Sequence, residues 1–227
     1  MKKIITILSV IFISLSVHAN DIYINQSGAT LDLDITQDGQ NNTVGNSTTA
    51  SSVIGATTNL AITQIGDSNV MTFDVNGATY TGTFSLTGNS NNIDFNCDSA
   101  GNNSSCGTAT ASIVWVGSSN DIDIDIGETS SATSATVGIT GASGSDSNTI
   151  LGTIDGNSAI LTLSVNGDTN NFLVDIDGNG DSVGHTYIHT HTGSIADVDI
   201  TQSGIYDNMI TLTTSGDNHD IDIIQRD

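Results

Sequence analysis

Apolar and polar residues alternate along most of the chain. The clearest example is the segment 121–126, in which an isoleucine follows an aspartate three times in succession. Alternation with a period of two is typical of a β-strand with one buried face. A shift of one residue would bury three carboxylates, so the register of such a strand is strongly specified. The pattern recurs at 174–177, 197–200 and 220–223. Because no long apolar stretch has a period of 3.6, the sequence predicts an all-β protein.

Glycines divide these strands at a regular spacing of about eleven residues, as in Gly55, Gly66, Gly77 and Gly88. A fixed short period indicates a repeat architecture. One strand and one turn occupy one such unit, and two units make a coil of about 22 residues, so we expect a β-solenoid of stacked strand-turn-strand coils. Glycine supplies the backbone angles that a turn requires. The predicted turn glycines are Gly28, Gly39, Gly66, Gly88, Gly117, Gly167, Gly204 and Gly216.

The first nineteen residues have the features of a secretory signal peptide. Lys2 and Lys3 precede an apolar run over 4–15, and Val17-His18-Ala19 forms a small-residue cleavage site. We therefore expect residues 1–19 to be removed and 20–227 to form a single repeat domain outside the cytoplasm. No later stretch approaches the roughly 18 apolar residues of a membrane-spanning helix.

The charge is strongly negative, with a formal net value of −22 at pH 7. Removal of the signal peptide leaves Arg226 as the only Lys or Arg residue against 25 acids. Such a chain repels nucleic acid and anionic membranes, since both are bound through Lys and Arg. No nucleophile–base spacing, phosphate-binding loop or His-Glu metal motif is present, and no acid is set apart by an apolar pocket. We expect neither enzymatic activity nor a cofactor.

The two cysteines, Cys97 and Cys106, lie in a polar stretch. In an oxidising compartment this pair predicts a disulfide that closes a surface loop. A metal site is the alternative, but no histidine lies nearby in the sequence.

Two further groups are weak candidates for a metal site. Asp175, Asp177 and Asn179 resemble the opening of an EF-hand calcium loop, but Thr186 stands where the bidentate glutamate belongs, which favours a strand that ends in a turn. His185, His189 and His191 share parity with Tyr187 and would lie on one face of a strand, where they could bind zinc or copper. A solvated histidine patch is the simpler interpretation.

Pairs of threonines, such as Thr79-x-Thr81, Thr108-x-Thr110 and Thr211-x-Thr213, are compatible with an ice-matching face. The pairs do not recur at one fixed position of an eleven-residue repeat, which argues against that face. Trp115 is interpreted as a packing residue.

Three segments share the pattern apolar-x-apolar-x-Gln-x-Gly: 33–39, 60–66 and 198–204. In the first two, an asparagine follows three residues after the glycine. This pattern resembles the curlin repeat, the unit of the curli fibre subunits. The resemblance is clear at both ends of the chain and degenerate in the middle, where Val75, Leu86, Trp115 and Val165 replace the glutamine. The positions that it marks as inward structural ladders are Gln26, Gln37, Asn42, Gln64, Asn69, Gln202, Asn208 and Gln225.

The resemblance implies a secreted structural subunit of an extracellular amyloid-like fibre that serves a biofilm matrix and surface adhesion. It also implies head-to-tail self-association, a minor nucleator subunit and an outer-membrane secretion pore as partners. The alternative from the residues alone is a monomeric β-solenoid adhesin or surface-binding module for sugar, ice or calcium. Electron microscopy of the processed chain distinguishes the two.

Overall fold

The computed structural model describes residues 21–39, 41–45, 50–66, 68–97, 106–127, 134–142, 144–177 and 185–226. The expected signal peptide lies outside these residues. The described part is all-β and contains no helix, as the alternation predicts. Its strands are β1 (Asp21–Ile22), β2 (Asn25–Asp38), β3 (Thr43–Val44), β4 (Ser51–Ile65), β5 (Val70–Thr87), β6 (Asn92–Cys97), β7 (Thr108–Val116), β8 (Asp121–Ile126), β9 (Ser134–Gly141), β10 (Thr149–Asp155), β11 (Ala159–Asn166), β12 (Asn170–Asp177), β13 (Thr186–Thr192), β14 (Ala196–Ser203), β15 (Met209–Ser215) and β16 (Asp220–Arg226).

The strands stack in two columns, and every pairing within them is parallel. Column A runs through β1, β3, β5, β6, β8, β10, β12, β14 and β16. Column B runs through β2, β4, β5, β7, β9, β11, β13 and β15. The long strands β2, β4 and β5 begin in column A and continue into column B. The chain therefore winds from one column to the other as a β-solenoid of about seven turns, and the predicted fold class is confirmed.

The length of a coil varies more than the sequence period suggests. Residues stacked in adjacent coils are separated by roughly 26 positions in the sequence on average. The expected separation of 22 residues is found between Asn69 and Asn91, whereas Asn91 and Asn120 are 29 residues apart. The strand positions stay in register, so the extra residues fall between the strands. The 22-residue coil is thus the shortest coil of this solenoid and not its common period.

The core lies between the two columns and is filled by the inward residue of each alternating pair. Its largest fully buried side chains include Trp115, Tyr80, Tyr187 and Phe73. Trp115 packs inside the solenoid above Gly141, its neighbour in column B. A Cβ atom on Gly141 would lie 2.5 Å from the indole ring, so the glycine makes room for the tryptophan.

The predicted disulfide between Cys97 and Cys106 is present. It closes the connection between β6 and β7. Both cysteines are fully buried, so the bridge is part of the core although the segment it closes is polar. Closing a loop of this length stabilises a fold by about 2–3 kcal/mol, chiefly by restricting the unfolded chain.

Six of the eight predicted turn glycines have a positive φ: Gly39, Gly66, Gly88, Gly117, Gly204 and Gly216. Gly167 lies in the connection between β11 and β12, as predicted, although it is not among the residues with a positive φ, and the prediction is wrong for Gly28. Gly28 lies within β2, where it stacks in register with Gly55 and Gly77. A Cβ atom on Gly77 would lie 2.0 Å from the Gly55 carbonyl oxygen. At this row, glycine is required because successive backbones approach closely.

The glycine row predicts a large and local cost for an added methyl group. We expect Gly77→Ala to lower the free energy of unfolding by more than about 3 kcal/mol, since the rigid carbonyl of Gly55 cannot move aside. Gly138 also lies in a column B strand, but a Cβ atom there meets nothing within 4 Å. Gly138→Ala is therefore the matched control, with stability unchanged or raised by about 0.5 kcal/mol. Guanidinium unfolding followed by circular dichroism measures both, and equal effects would contradict this account.

Candidate functional site

A short arc joins column B back to column A in each coil and has a repeated backbone geometry. In most coils a glycine of positive φ opens the arc, and a residue in the left-handed region closes it. Six of these closing residues are followed by an asparagine: Asn41, Ser68, Ser90, Ser119, Ser147 and Thr169, with φ between 56° and 60°. Ile195 and Asn218 close the last two arcs in the same conformation but precede Ala196 and His219. In these six arcs the left-handed conformation falls on the residue before the asparagine, and the asparagine side chain is buried inside the solenoid.

The six asparagines form one continuous internal ladder. The backbone N–H of each donates to the side-chain oxygen of the next, over N···O distances of 2.9–3.1 Å. The side-chain amide of each donates to the carbonyl of the residue three positions earlier, as in Asn120 Nδ2 to Gly117 O at 2.9 Å. All six side chains are almost fully buried. The members are Asn42, Asn69, Asn91, Asn120, Asn148 and Asn170.

The sequence prediction placed only the first two of these asparagines in the ladder. The Gly-x-x-Asn spacing at Gly88, Gly117 and Gly167 signals three of the others, whereas Asn148 has Ser145 in place of the glycine. The replacement of the glutamine by apolar residues in the middle of the chain does not interrupt the asparagine ladder, because the glutamines and the asparagines lie on different parts of the coil. The asparagine ladder satisfies the polar groups of the arc, so it does not depend on the residue at the end of the preceding strand.

The glutamines form two short ladders at opposite ends of the solenoid. Gln64 Nε2 donates to Gln37 Oε1 at 2.9 Å in column B, and the next residues in that row are Leu86 and Trp115. In column A, Gln225 Nε2 donates to Gln202 Oε1 at 3.2 Å. In the middle coils apolar packing therefore replaces the glutamine hydrogen bonds in these two rows, while the asparagine ladder continues through the arc.

Two predicted ladder residues have other surroundings. Gln26 occupies the inward row of column A, but its neighbour in the next coil is Val53. Asn208 lies in the arc that joins column A to column B, opposite the asparagine ladder, where its side-chain amide donates to the carbonyl of Arg226 at 3.3 Å. The expectation for Asn208 was wrong because spacing alone does not tell which of the two arcs a residue occupies.

The three predicted histidines lie inside the solenoid. His185, His189 and His191 are fully buried, and His189 and His191 share their face of β13 with Tyr187. The interpretation of these histidines as a solvated patch is therefore wrong.

His189 contacts Phe172 edge-on at 4.8 Å between ring centroids, and its Nδ1 lies 2.7 Å from the Tyr187 hydroxyl oxygen. His191 Nε2 donates to the Gly167 carbonyl at 2.7 Å.

Burial favours the neutral forms of His189 and His191. It is the main cause that lowers the pKa of His189 to about 4, and the neighbouring His191 and His219 lower that pKa further. Burial also lowers the pKa of His191, although the Gly167 carbonyl and Asp168 act in the opposite direction. Neutral imidazole is the form that binds metal, but no group of three or more His, Cys, Asp or Glu side chains in the described residues could hold a metal ion.

The outer face of column A carries closely spaced carboxylates. Burial, with Asp125, Asp94 and Asp121 nearby, raises the pKa of Asp123 to about 6. The same causes, burial first, raise the pKa values of Asp94 and Asp175. Asp177 accepts a hydrogen bond from the Ser203 hydroxyl at 2.9 Å. Asn179, the third residue of the calcium-loop candidate, lies outside the described residues.

The threonines of column B lie in register, contrary to the sequence analysis. Thr57, Thr79 and Thr108 stack in one row, and Thr81, Thr110 and Thr136 in another. The coils between them differ in length, so a fixed sequence period hides these rows.

The chain matches no family model, no curated protein and no solved structure. Among the described residues, none belongs to a helix long and apolar enough to cross a membrane.

The asparagine ladder predicts a large cost for removing a central member. Asn120→Ala removes the acceptor of the Asn91 backbone N–H at 2.9 Å and the donor to Gly117 O. Buried polar groups left without partners cost about 1–3 kcal/mol each, so we expect a loss of about 2–4 kcal/mol. Asn92→Ala is the control, because that side chain faces outward and makes only a long contact with Asp121. Thermal unfolding compares the two, and a loss below about 1 kcal/mol for Asn120→Ala would show that the ladder adds little.

The histidine cluster predicts acid sensitivity of the C-terminal coils. With a pKa of 6.5 when unfolded and about 4 when folded, His189 contributes stability above pH 6.5 that is lost as the pH falls toward 4. Between pH 7 and pH 5 this loss is about 2 kcal/mol. His189 stacks between Leu163 and Leu212, so His189→Leu continues an existing apolar row. We expect this variant to exceed the wild type in stability by more at pH 5 than at pH 7. A difference that does not change with pH would contradict the assignment.

Proposed function

We propose that this protein is the secreted structural subunit of an extracellular curli-type filament, in which copies stack end to end through their terminal coils. The observation that carries the proposal is the match between the two ends. Within the described chain, β1 and β2 open the solenoid and β15 and β16 close it, and each of these four strands has a partner on one side only.

The inward rows of column A match across such a junction. Followed coil by coil, the row of Gln26 ends at Gln202 and Gln225. If the next copy adds one more coil in the same register, its Gln26 falls beside Gln225 and extends the glutamine ladder. The two inward rows that precede it on the strand end at Ile221 and Ile223, which would meet Ile22 and Ile24 of the next copy. Each inward residue thus gains a neighbour of its own kind.

The outward rows avoid most of the charge repulsion that a chain of this acidity would otherwise incur. In column B, three aspartates on the outer face of β2 (Asp32, Asp34 and Asp38) would stack on Met209, Thr211 and Ser215 of the copy before, none of which is charged. In column A, Asp220 would meet Asp21. An exposed like-charge pair at about 5 Å costs under about 1 kcal/mol in water, so the junction is electrostatically tolerable.

The exposed edge of β16 has the hydrogen-bonding groups that such a junction needs. The backbone N–H groups of Asp121, Thr149 and Asn171 donate to the preceding coil. Asp220 occupies the same row, so its N–H also points back, and the N–H groups of Ile221 and Ile223 point toward the open end. Unpaired strand edges of this kind are templates for a further strand. Because the contact joins two different ends, it need not close and produces a filament.

Acid, salt and divalent cations should accelerate assembly, since each weakens repulsion between stacked carboxylates. Asp123 shows the sign of the acid effect. Its pKa rises from 3.8 to about 6 on folding. The contribution of Asp123 to the stability of the stacked coils is therefore most favourable below pH 4 and is lost as the pH rises through 6. The junction would place Asp21 and Asp220 side by side in the same way as the stacked carboxylates around Asp123.

The proposal also includes a minor nucleator and an outer-membrane secretion pore, which rest on the resemblance to curlin repeats alone. The uneven coil length and the apolar middle of the glutamine rows distinguish this chain from that repeat. In the column A row, Gln26 and Gln225 still stand at the two ends, where the junction would form.

The test blocks one end without disturbing the coil beneath it. Ile223→Pro removes an N–H that points to the open end, and proline is accepted on edge strands at such positions. We expect the purified chain 20–227 to form filaments at pH 5 or in added salt, seen by electron microscopy and thioflavin fluorescence. Ile223→Pro should remain folded and unpolymerised, and a small fraction of it should slow growth of wild-type filaments. Ile223→Val retains the N–H and should polymerise normally.

Two results would overturn the proposal. One is a folded wild-type chain that stays monomeric under acid, salt and divalent cations, which would favour a monomeric surface-binding module for sugar, ice or calcium. The other is polymerisation of Ile223→Pro at the wild-type rate, which would exclude this edge as the junction.

A further inference from the structure

The outer face of column B is free of charge over most of its length. It consists of the outward residues of the column B parts of β4 and β5 and of β7, β9, β11, β13 and β15, and is called here the hydroxyl face. No Asp, Glu, Lys, Arg or His side chain points outward from the column B parts of these seven described strands, whereas the column A part of β5 carries Asp74. Threonine and serine predominate, and all five outward positions in the column B part of β5 carry one of the two.

The hydroxyl face is regular because its rows are fixed by the strand register. Thr79, Thr81 and Thr83 on β5 stand beside Thr108, Thr110 and Ser112 on β7. Neighbouring strands lie about 4.8 Å apart, and outward residues of one strand repeat about every 6.7 Å. β-branched side chains at these intervals lose little rotamer freedom when they are covered, since χ1 is already restricted.

The opposite face of the solenoid has the reverse character. Outward positions of column A carry Asp94, Asp123, Asp125, Asp175 and Asp199. Two copies cannot bring these faces together at neutral pH without placing many carboxylates side by side. The charge is therefore segregated, and the hydroxyl face is the side of the described solenoid that a second acidic copy can approach.

The hydroxyl face is also large enough for a stable contact. Six inter-strand spacings give a length of about 29 Å, and the eight residue steps across β5 give a width of about 26 Å. The resulting area of about 750 Å² is close to the roughly 800 Å² that each partner contributes to a standard protein interface. Four large apolar side chains are exposed on this face: Ile65 (42%), Val114 (41%), Val116 (45%) and Met209 (47%).

We propose that the hydroxyl face pairs with the hydroxyl face of a second copy of this chain. Two such sheets pack face to face at about 10 Å, with threonine and valine side chains interdigitating. The contact uses the same surface on both copies, so it closes on itself as a two-fold pair. This lateral contact goes beyond the end-to-end junction and does not depend on it.

Pairing has a built-in limit. Once two hydroxyl faces are covered, the acidic faces of column A remain outside and repel a third copy. Filaments made from this chain should therefore be two solenoids wide at neutral pH. The aspartates on β2 (Asp32, Asp34 and Asp38) lie beyond one end of the hydroxyl face, so the contact is restricted to the strands from β4 to β15.

The test measures pairing with end growth blocked. In the Ile223→Pro background, sedimentation equilibrium at pH 7 should show a dimer at micromolar concentration. Adding Thr110→Asp and Thr136→Asp places carboxylates in the middle of the hydroxyl face and should weaken dimerisation at least 100-fold. Thr153→Asp and Asn171→Asp add the same charge on column A and should leave the dimer intact. Circular dichroism reports whether each variant is folded.

A spin label gives a second readout that does not depend on the aspartate variants. A label attached to the new cysteine of Thr136→Cys should report short distances between copies, and a label on Thr153→Cys should not. The proposal is overturned if the end-blocked chain is monomeric at high micromolar concentration, or if the Thr110 and Thr136 substitutions leave dimerisation unchanged. A third result would also overturn it: the chain sediments as a monomer and inhibits ice recrystallisation, and the Thr110 and Thr136 substitutions abolish that inhibition. The hydroxyl face would then bind ice.

If Ile223→Pro still polymerises, the end-to-end proposal fails but the width of the filaments still tests pairing of the hydroxyl faces. The two proposals can therefore fail separately.

Discussion

The fold depends on parallel, in-register hydrogen bonding between successive coils. In this arrangement each side chain has the residue at the same position of the neighbouring coil directly above and below it. A polar group buried in one coil is therefore satisfied by a like group in the next, as Asn91 and Asn120 satisfy each other. The same constraint forces backbones together at Gly28, Gly55 and Gly77, where a side chain has no room. Stacking thus explains both the ladders and the positions at which only glycine fits.

Stacking also concentrates charge and separates it by face. Aspartates that are isolated in the sequence become rows on column A, where burial and neighbouring carboxylates together raise the pKa of Asp123 to about 6. The neutral histidines inside β13 respond to acid in the opposite direction. Mild acid therefore favours contact between acidic surfaces and weakens the coils around His189. The two effects act on different coils, so the pH response depends on the position along the solenoid.

The ends and the outer faces of a solenoid offer different kinds of contact. The proposed junction between Gln225 and the Gln26 of another copy would be directional and would leave a new open end after each addition. The proposed contact between hydroxyl faces would be two-fold and would end with the pair. Together the two proposals describe a filament that is unlimited in length and limited in width. This division follows from where the chain places its charge and not from any single residue.

The sequence alone determined the strand alternation, the all-β solenoid and the disulfide between Cys97 and Cys106, because each depends on local spacing. It could not decide which residues share a row, since coils differ in length through residues inserted between strands. For that reason the register of the threonines, the full extent of the asparagine ladder and the placement of Asn208 came only from the tertiary structure. The burial of His189 was equally hidden, because parity identifies a common face of a strand but not the side on which the core lies.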